Sequence, residues 1–170
     1  MEKIKLIKEQ KYFKMFTIIL VILWCIVIFY LSHQIASDSG KASLGIVKNI
    51  TQKWLNTKEL NDINDIFRTF MHGFVYFVLS FLTILMFYVN DIKKIYIFSL
   101  IFVFAYSITD EIHQYFIPGR SCQLIDIIVD LIGSITAIII CSSIVKISRY
   151  LINKKHLINK KHLINKNSNI

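Results

Sequence analysis

Proline occurs once in these 170 residues, glycine five times and cysteine three times. A chain so poor in helix breakers and turn formers is not a turn-rich β-sandwich, a collagen-like protein or a flexible linker. Three cysteines, an odd number without a CxxC spacing, supply neither a disulfide framework nor a zinc motif. Cys25 and Cys141 fall inside apolar runs, where a thiol behaves as a small hydrophobe, and Cys122 alone sits among polar residues. Charge is scarce as well. Charged residues make up 18% of the chain against 55% hydrophobic, too apolar for an ordinary soluble domain. The bilayer is the solvent that fits.

A membrane-crossing helix needs about 20 mostly apolar residues for a hydrocarbon core of roughly 30 Å. Four segments qualify, predicting helices over about 15–31, 70–89, 95–116 and 125–147. The third apolar run ends at Thr109, but its helical pattern continues through Asp110 to Phe116. The expected fold is all-α, an integral membrane four-helix bundle filling residues 15–147.

The net charge of +9 could suggest nucleic acid, yet the basic residues flank apolar runs instead of lining a soluble face. Topology explains them better. Lys3, Lys5, Lys8, Lys11 and Lys14 precede the first span, Lys93 and Lys94 separate the second and third, and Lys146, Arg149 and five later lysines follow the fourth. Placing these inside puts 14 of the 20 Lys and Arg residues in the cytoplasm. Both termini are then cytoplasmic, with 1–14 a basic start and 148–170 a basic, low-complexity tail. The lysine-rich start before an apolar run resembles a signal peptide, but the run is bulky and long and no small-x-small cleavage site follows, so an uncleaved first helix is expected.

The longest connection, Ser32 to Thr69, lies outside under this topology. Leu44, Val47, Ile50, Trp54 and Leu55 recur there at near-helical spacing, consistent with an amphipathic helix on the membrane surface with Trp54 at headgroup depth. A solvated loop is the alternative. Asn90 to Lys94 makes a tight hairpin, and Ile117-Pro118-Gly119-Arg120-Ser121 an outer turn. The tail repeats LINKKH, which reads as a largely disordered basic segment leaning on anionic lipid, and its His156 and His162 lack companion ligands for a metal.

Ionisable groups in spans are costly, about 2.5–3.5 kcal/mol each at a helix centre, so each needs a partner or a purpose. Here all gather at the outer ends: Ser32, His33 and Gln34 on the first helix, Arg68 and His72 on the second, Asp110, Glu111, His113 and Gln114 on the third, Asp126 and Asp130 on the fourth. Arg68, His72 and Tyr76 share one helical face, Tyr106, Asp110 and His113 another, and Asp126, Asp130 and Gly133 a third. Gly133 and Ala137 continue the last face with small side chains that admit a neighbouring backbone. Purely structural salt bridges, such as Arg68 or Arg120 with Asp126 or Asp130, are one explanation. The other is a site in which His72 and His113 move protons, Asp110, Glu111 and Asp126 orient or accept them, and Arg68, Gln114, Arg120 and Asp130 bind substrate. A divalent metal on His72, His113, Asp110 or Asp126 would need convergence from three helices, and no single helix carries a ligand motif, so no metal or cofactor is assigned.

The segments FYLSHQIASDSGKAS at 29–43, RTFMHGFVYFVLS at 68–80 and TDEIHQYFIPGRSCQLIDIIVDLIG at 109–133 resemble, in the same order, those of the VanZ-like membrane proteins. The resemblance covers roughly residues 15–145. It implies a small bacterial membrane protein, and the family is named for a member linked to low-level teicoplanin resistance. Its recurrent polar residues correspond to Arg68, His72, Asp110, Glu111, His113, Gln114, Arg120, Asp126 and Asp130. Two positions depart from the pattern: Thr69 stands where a lysine commonly follows the arginine, and Val75 replaces a frequent acidic residue. No coenzyme A or acyltransferase motif accompanies the phosphotransbutyrylase label some members carry.

The resemblance and the topology together imply a multi-pass protein of the bacterial cell membrane that lowers glycopeptide susceptibility. Its expected partners are membrane lipids and, at the outer face, a cell-wall precursor or the drug itself, with no nucleic acid. The alternatives are a membrane enzyme on a lipid-linked or phosphate-bearing substrate, although no nucleophile stands out, and a non-catalytic partner or small transporter. Four helices without an internal repeat argue against a standalone secondary transporter, an objection an oligomer would evade.

Overall fold

The computed structural model describes residues 2–33, 44–47, 57–118 and 122–167. Four helices account for nearly all of them: α1 (Glu2–His33), α2 (Thr57–Val89), α3 (Ile95–Tyr115) and α4 (Leu124–Asn167). Each contains a stretch long and apolar enough to cross a membrane, Gln10–His33, Asp62–Val89, Ile95–Tyr115 and Leu124–Lys154. No strand occurs among the described residues.

Three helices run past the apolar segments that predict them. Thr57–Thr69 is too polar to register as a span, yet it holds helix without proline or glycine, and Glu59 in the first turn suits the positive end of the helix dipole. Arg68 therefore lies well inside α2 and does not begin it. The LINKKH repeat, expected to be largely disordered, carries α4 on to Asn167, because Leu, Ile and Lys all tolerate helix and nothing breaks the run. Lys3 to Lys14 likewise continue α1 backwards. Of the surface helix expected around 41–55, only a helical turn at 44–47 is described; Trp54 and the rest lie outside the described residues.

α3 stops at Tyr115, three residues before Pro118, whose ring disfavours helix at Ile117. The α2–α3 hairpin closes through Asp91 and Lys94, both at φ 60°, left-handed positions unusual for residues other than glycine. Asn90 Nδ2 donates to the Met86 carbonyl at 2.8 Å, and the Lys14 ammonium reaches Asp91 Oδ2 at 2.8 Å, tying the start of the first span to this turn.

Polarity is inverted relative to a water-soluble bundle. Ile22, Ile101, Ile132 and Ile139 are more than half exposed, while Ser80, Thr83, Ser99, Ser107 and Ser134 are fully buried. Such a surface suits hydrocarbon, and such an interior holds helices together where apolar burial gives no drive to associate. Ser80 sits at the hub: its Oγ lies 3.3 Å from Ser99 Oγ, accepts from Ser134 Oγ at 3.0 Å and donates to the Ser134 carbonyl at 3.3 Å. Thr83 Oγ1 joins Ser99 Oγ at 2.5 Å. This network links α2, α3 and α4, while α1 packs on α2 and α3 through Val21, Ile28 and a Trp24 indole that donates to the Val75 carbonyl at 3.0 Å.

α2 and α4 touch backbone to backbone. A Cβ added to Gly133 would lie 2.0 Å from the Gly73 carbonyl oxygen. Gly133→Ala is expected to lower unfolding free energy in detergent by about 1–3 kcal/mol, the usual range for overpacking. Gly73→Ala should cost less, because its Cβ would meet Val129 Cγ1 at 3.3 Å and no backbone closer than 3.5 Å. Equal losses in a denaturation series would mean that this crossing is not the tight point.

Candidate functional site

The polar residues singled out from the sequence collect at one end of the bundle, where α1 and α3 finish and α4 begins. Helical spacing puts them there. Ser99, Val103, Ser107, Asp110 and Gln114 recur every three or four residues and form the buried face of α3, joined by Glu111. Buried carboxylates demand hydrogen-bond donors, and each of the three on this end has one. Ser32 Oγ donates to Asp110 Oδ2 at 2.8 Å and Gln114 Nε2 to the same oxygen at 3.0 Å. Ser107 Oγ donates to Asp130 Oδ2 at 2.6 Å. Glu111 Oε2 accepts the backbone N–H of Gln123 at 2.8 Å, so this carboxylate satisfies an amide next to the start of α4, the end of a helix that favours negative charge.

The histidines divide between two sides. His72, with 24% of its side chain exposed, has Nδ1 4.0 Å from Oδ1 of the buried Asp130, on the α2–α4 side. His113 instead joins α1: its Nε2 lies 3.2 Å from His33 Nδ1, and both rings stack with Phe29, with centroids 4.5 Å away for His113 and 5.9 Å for His33. His72 and His113 thus make their contacts with different partners, Asp130 and His33. The contacts form two adjoining groups, Ser32–His33–Asp110–His113–Gln114 and His72–Ser107–Asp130, with Asp110 and Asp130 close enough to interact. Tyr76 and Tyr106, with ring centroids 6.4 Å apart, lie between the α2 and α3 faces that carry them.

Asp126 is half-buried, and its side chain enters none of these described contacts. Arg68 is also half-buried; the described ion pairs are Lys14–Asp91 and His72–Asp130, so the arginine–aspartate bridge expected as the packing alternative is not formed by Arg68. Arg120 lies outside the described residues. No group of three or more His, Cys, Asp and Glu side chains is placed to hold a metal ion among the described residues.

Ser107 and Tyr76 belong to the site without having been chosen as candidates. Ser107 stands three residues before Asp110 on the same face, a visible signal, but serine in a span is so often plain packing that spacing alone does not promote it. Asp130 Oδ1 is buried with no hydrogen-bond partner among the described residues, and Tyr76, also buried, lies near both Asp110 and Asp130.

An inverted-polarity helical bundle with a buried carboxylate–histidine cluster at one end is a multi-pass membrane protein. The chain belongs to the VanZ/LLP1 family, whose model matches residues 16–146, a span that takes in the whole polar end and leaves out the basic start and the repetitive tail. Comparison with curated proteins and with solved structures finds no match.

The Ser107–Asp130 bond generates a direct test. In a double-mutant cycle of Ser107→Ala and Asp130→Asn, unfolding free energies should show a coupling of about 1 kcal/mol, typical of interhelical hydrogen bonds in membranes. Additive losses would show that the two side chains do not act together.

Proposed function

We propose that this VanZ/LLP1 protein works at the outer face of a bacterial cell membrane, where its polar end binds a lipid-linked cell-wall precursor and thereby lowers susceptibility to teicoplanin. The observation that carries this is unspent polar capacity: Asp130 Oδ1 is buried at the polar end without a hydrogen-bond partner among the described residues. A cluster serving only to glue helices would consume its donors and acceptors internally, as the Ser80–Ser99–Ser134 network does. The half-buried His72 stands beside Asp130 as the approach to this atom. Lysine placement supports the orientation, because Lys14, Lys93 and Lys94 occupy the opposite end of the bundle. Glycopeptides act on precursors outside the membrane, the side this orientation gives the polar end, and the link to teicoplanin itself comes from the family's namesake.

A second reading, an enzyme on the same class of substrate, draws on the His72–Asp130 pair. A carboxylate beside an imidazole can orient it and steady the charge it gains as general base. Both readings make Asp130 necessary, and only the enzyme makes His72 irreplaceable by a neutral hydrogen-bonding residue.

Expression in a susceptible strain lacking the gene should raise the inhibitory concentration of teicoplanin, and Asp130→Asn should abolish the rise at equal membrane abundance. His72→Gln retaining the effect favours binding, and losing it favours proton transfer. A wild-type protein that accumulates without changing susceptibility sinks the proposal.

A further inference from the structure

A groove of about 480 Å³ opens between α1 and α3, lined among others by Ile18, Ile22, Ile26, Phe29 and Phe102. Its walls are apolar, with Cys25 and Met86 among them, and the hydroxyl of the lining Tyr106 is already committed to the Cys25 carbonyl at 2.6 Å. Ile18 to Phe29 is twelve residues of helix, roughly 17 Å end to end, close to one leaflet of a core roughly 30 Å thick. At the far end Phe29 leaves the groove and stacks on His113, so hydrocarbon wall passes directly into the His33–His113 pair. The groove lies inside two membrane-crossing segments, which makes a lipid chain its natural occupant.

The headgroup end is what makes the site selective. A neutral imidazole carries one N–H. In the 3.2 Å contact between His33 Nδ1 and His113 Nε2 one N–H is consumed, and whichever ring donates it, one further N–H is left outside the pair. The two arrangements place that donor on His33 Nε2 or on His113 Nδ1. It is a donor at headgroup depth, and phosphate oxygens are strong acceptors. The neighbouring Asp110 is occupied by Ser32 and Gln114, one helical turn further in.

We infer that the α1–α3 groove admits, sideways from the bilayer, the hydrocarbon chain of a lipid phosphate whose phosphate is held by His33 and His113. This rests on the proposed outer-face binding function and narrows its ligand to a phosphate on a hydrocarbon chain.

The full chain in detergent, titrated by native mass spectrometry with farnesyl phosphate, farnesol and inorganic phosphate, tests it. Farnesyl phosphate should bind at least about tenfold tighter than farnesol, a difference of one decade in Kd. Inorganic phosphate should not displace it. Ile22→Trp, filling the groove, should weaken both farnesyl compounds about tenfold, whereas His113→Ala should weaken only the phosphate, to the level of farnesol. Ile18→Trp serves as a second groove variant should Ile22→Trp fail to fold. Equal affinity for farnesol and farnesyl phosphate, displacement by inorganic phosphate, or indifference to both groove and histidine variants overturns the inference. Loss of lipid binding with teicoplanin protection intact removes this inference alone; binding without any effect on susceptibility removes the proposed function alone.

Discussion

The crossing of α2 and α4 at Gly73 and Gly133 is the contact on which the rest of the bundle depends. With a would-be Cβ only 2.0 Å from the opposing carbonyl, no other residue fits at Gly133 without moving a helix. The close approach brings His72, next to Gly73, within 4.0 Å of Asp130, one turn before Gly133. It also sets Ser80, two turns along α2 from Gly73, against Ser134, the residue after Gly133. Widening this crossing would part the imidazole from the carboxylate and open the hydroxyl network together.

Hydrocarbon explains why so many polar side chains lie inside. Helices in lipid gain nothing by burying leucine, so they adhere through close packing and hydrogen bonds. The deep serine and threonine network spends its groups on itself and behaves as adhesive. At the polar end Asp110 takes donors from Ser32 and Gln114, yet Asp130 Oδ1 finds no hydrogen-bond partner among the described residues. That contrast between two polar layers of the same bundle is what separates glue from site.

Much of this was legible in the sequence. Run length and lysine scarcity inside the runs identify four spans, and the Asp126–Asp130–Gly133 face foretells a small-residue contact, although nothing in the sequence singles out Gly73 as the other half. Helix ends were less legible, because hydropathy reports where lipid ends and Thr57–Thr69 and Tyr150–Asn167 are helical beyond that limit. Partner choice was the least legible. Spacing shows that His72 and His113 each lie on a buried face, but which helix faces which is a property of packing, and packing gives one histidine to Asp130 and the other to His33. Ser107 escaped because its value comes from the residue across from it.

The central claim is that the polar end of the bundle faces the outside of the cell, since a precursor-binding role has no meaning on the other side. Cys122 is exposed at that end, while Cys25 and Cys141 are partly buried within spans, so the native protein carries its own reporter. Labelling of intact cells with a membrane-impermeant maleimide should modify the wild-type protein and leave Cys122→Ser unmodified. Labelling of Cys122 only after the membrane is permeabilised would place the polar end in the cytoplasm and contradict the account.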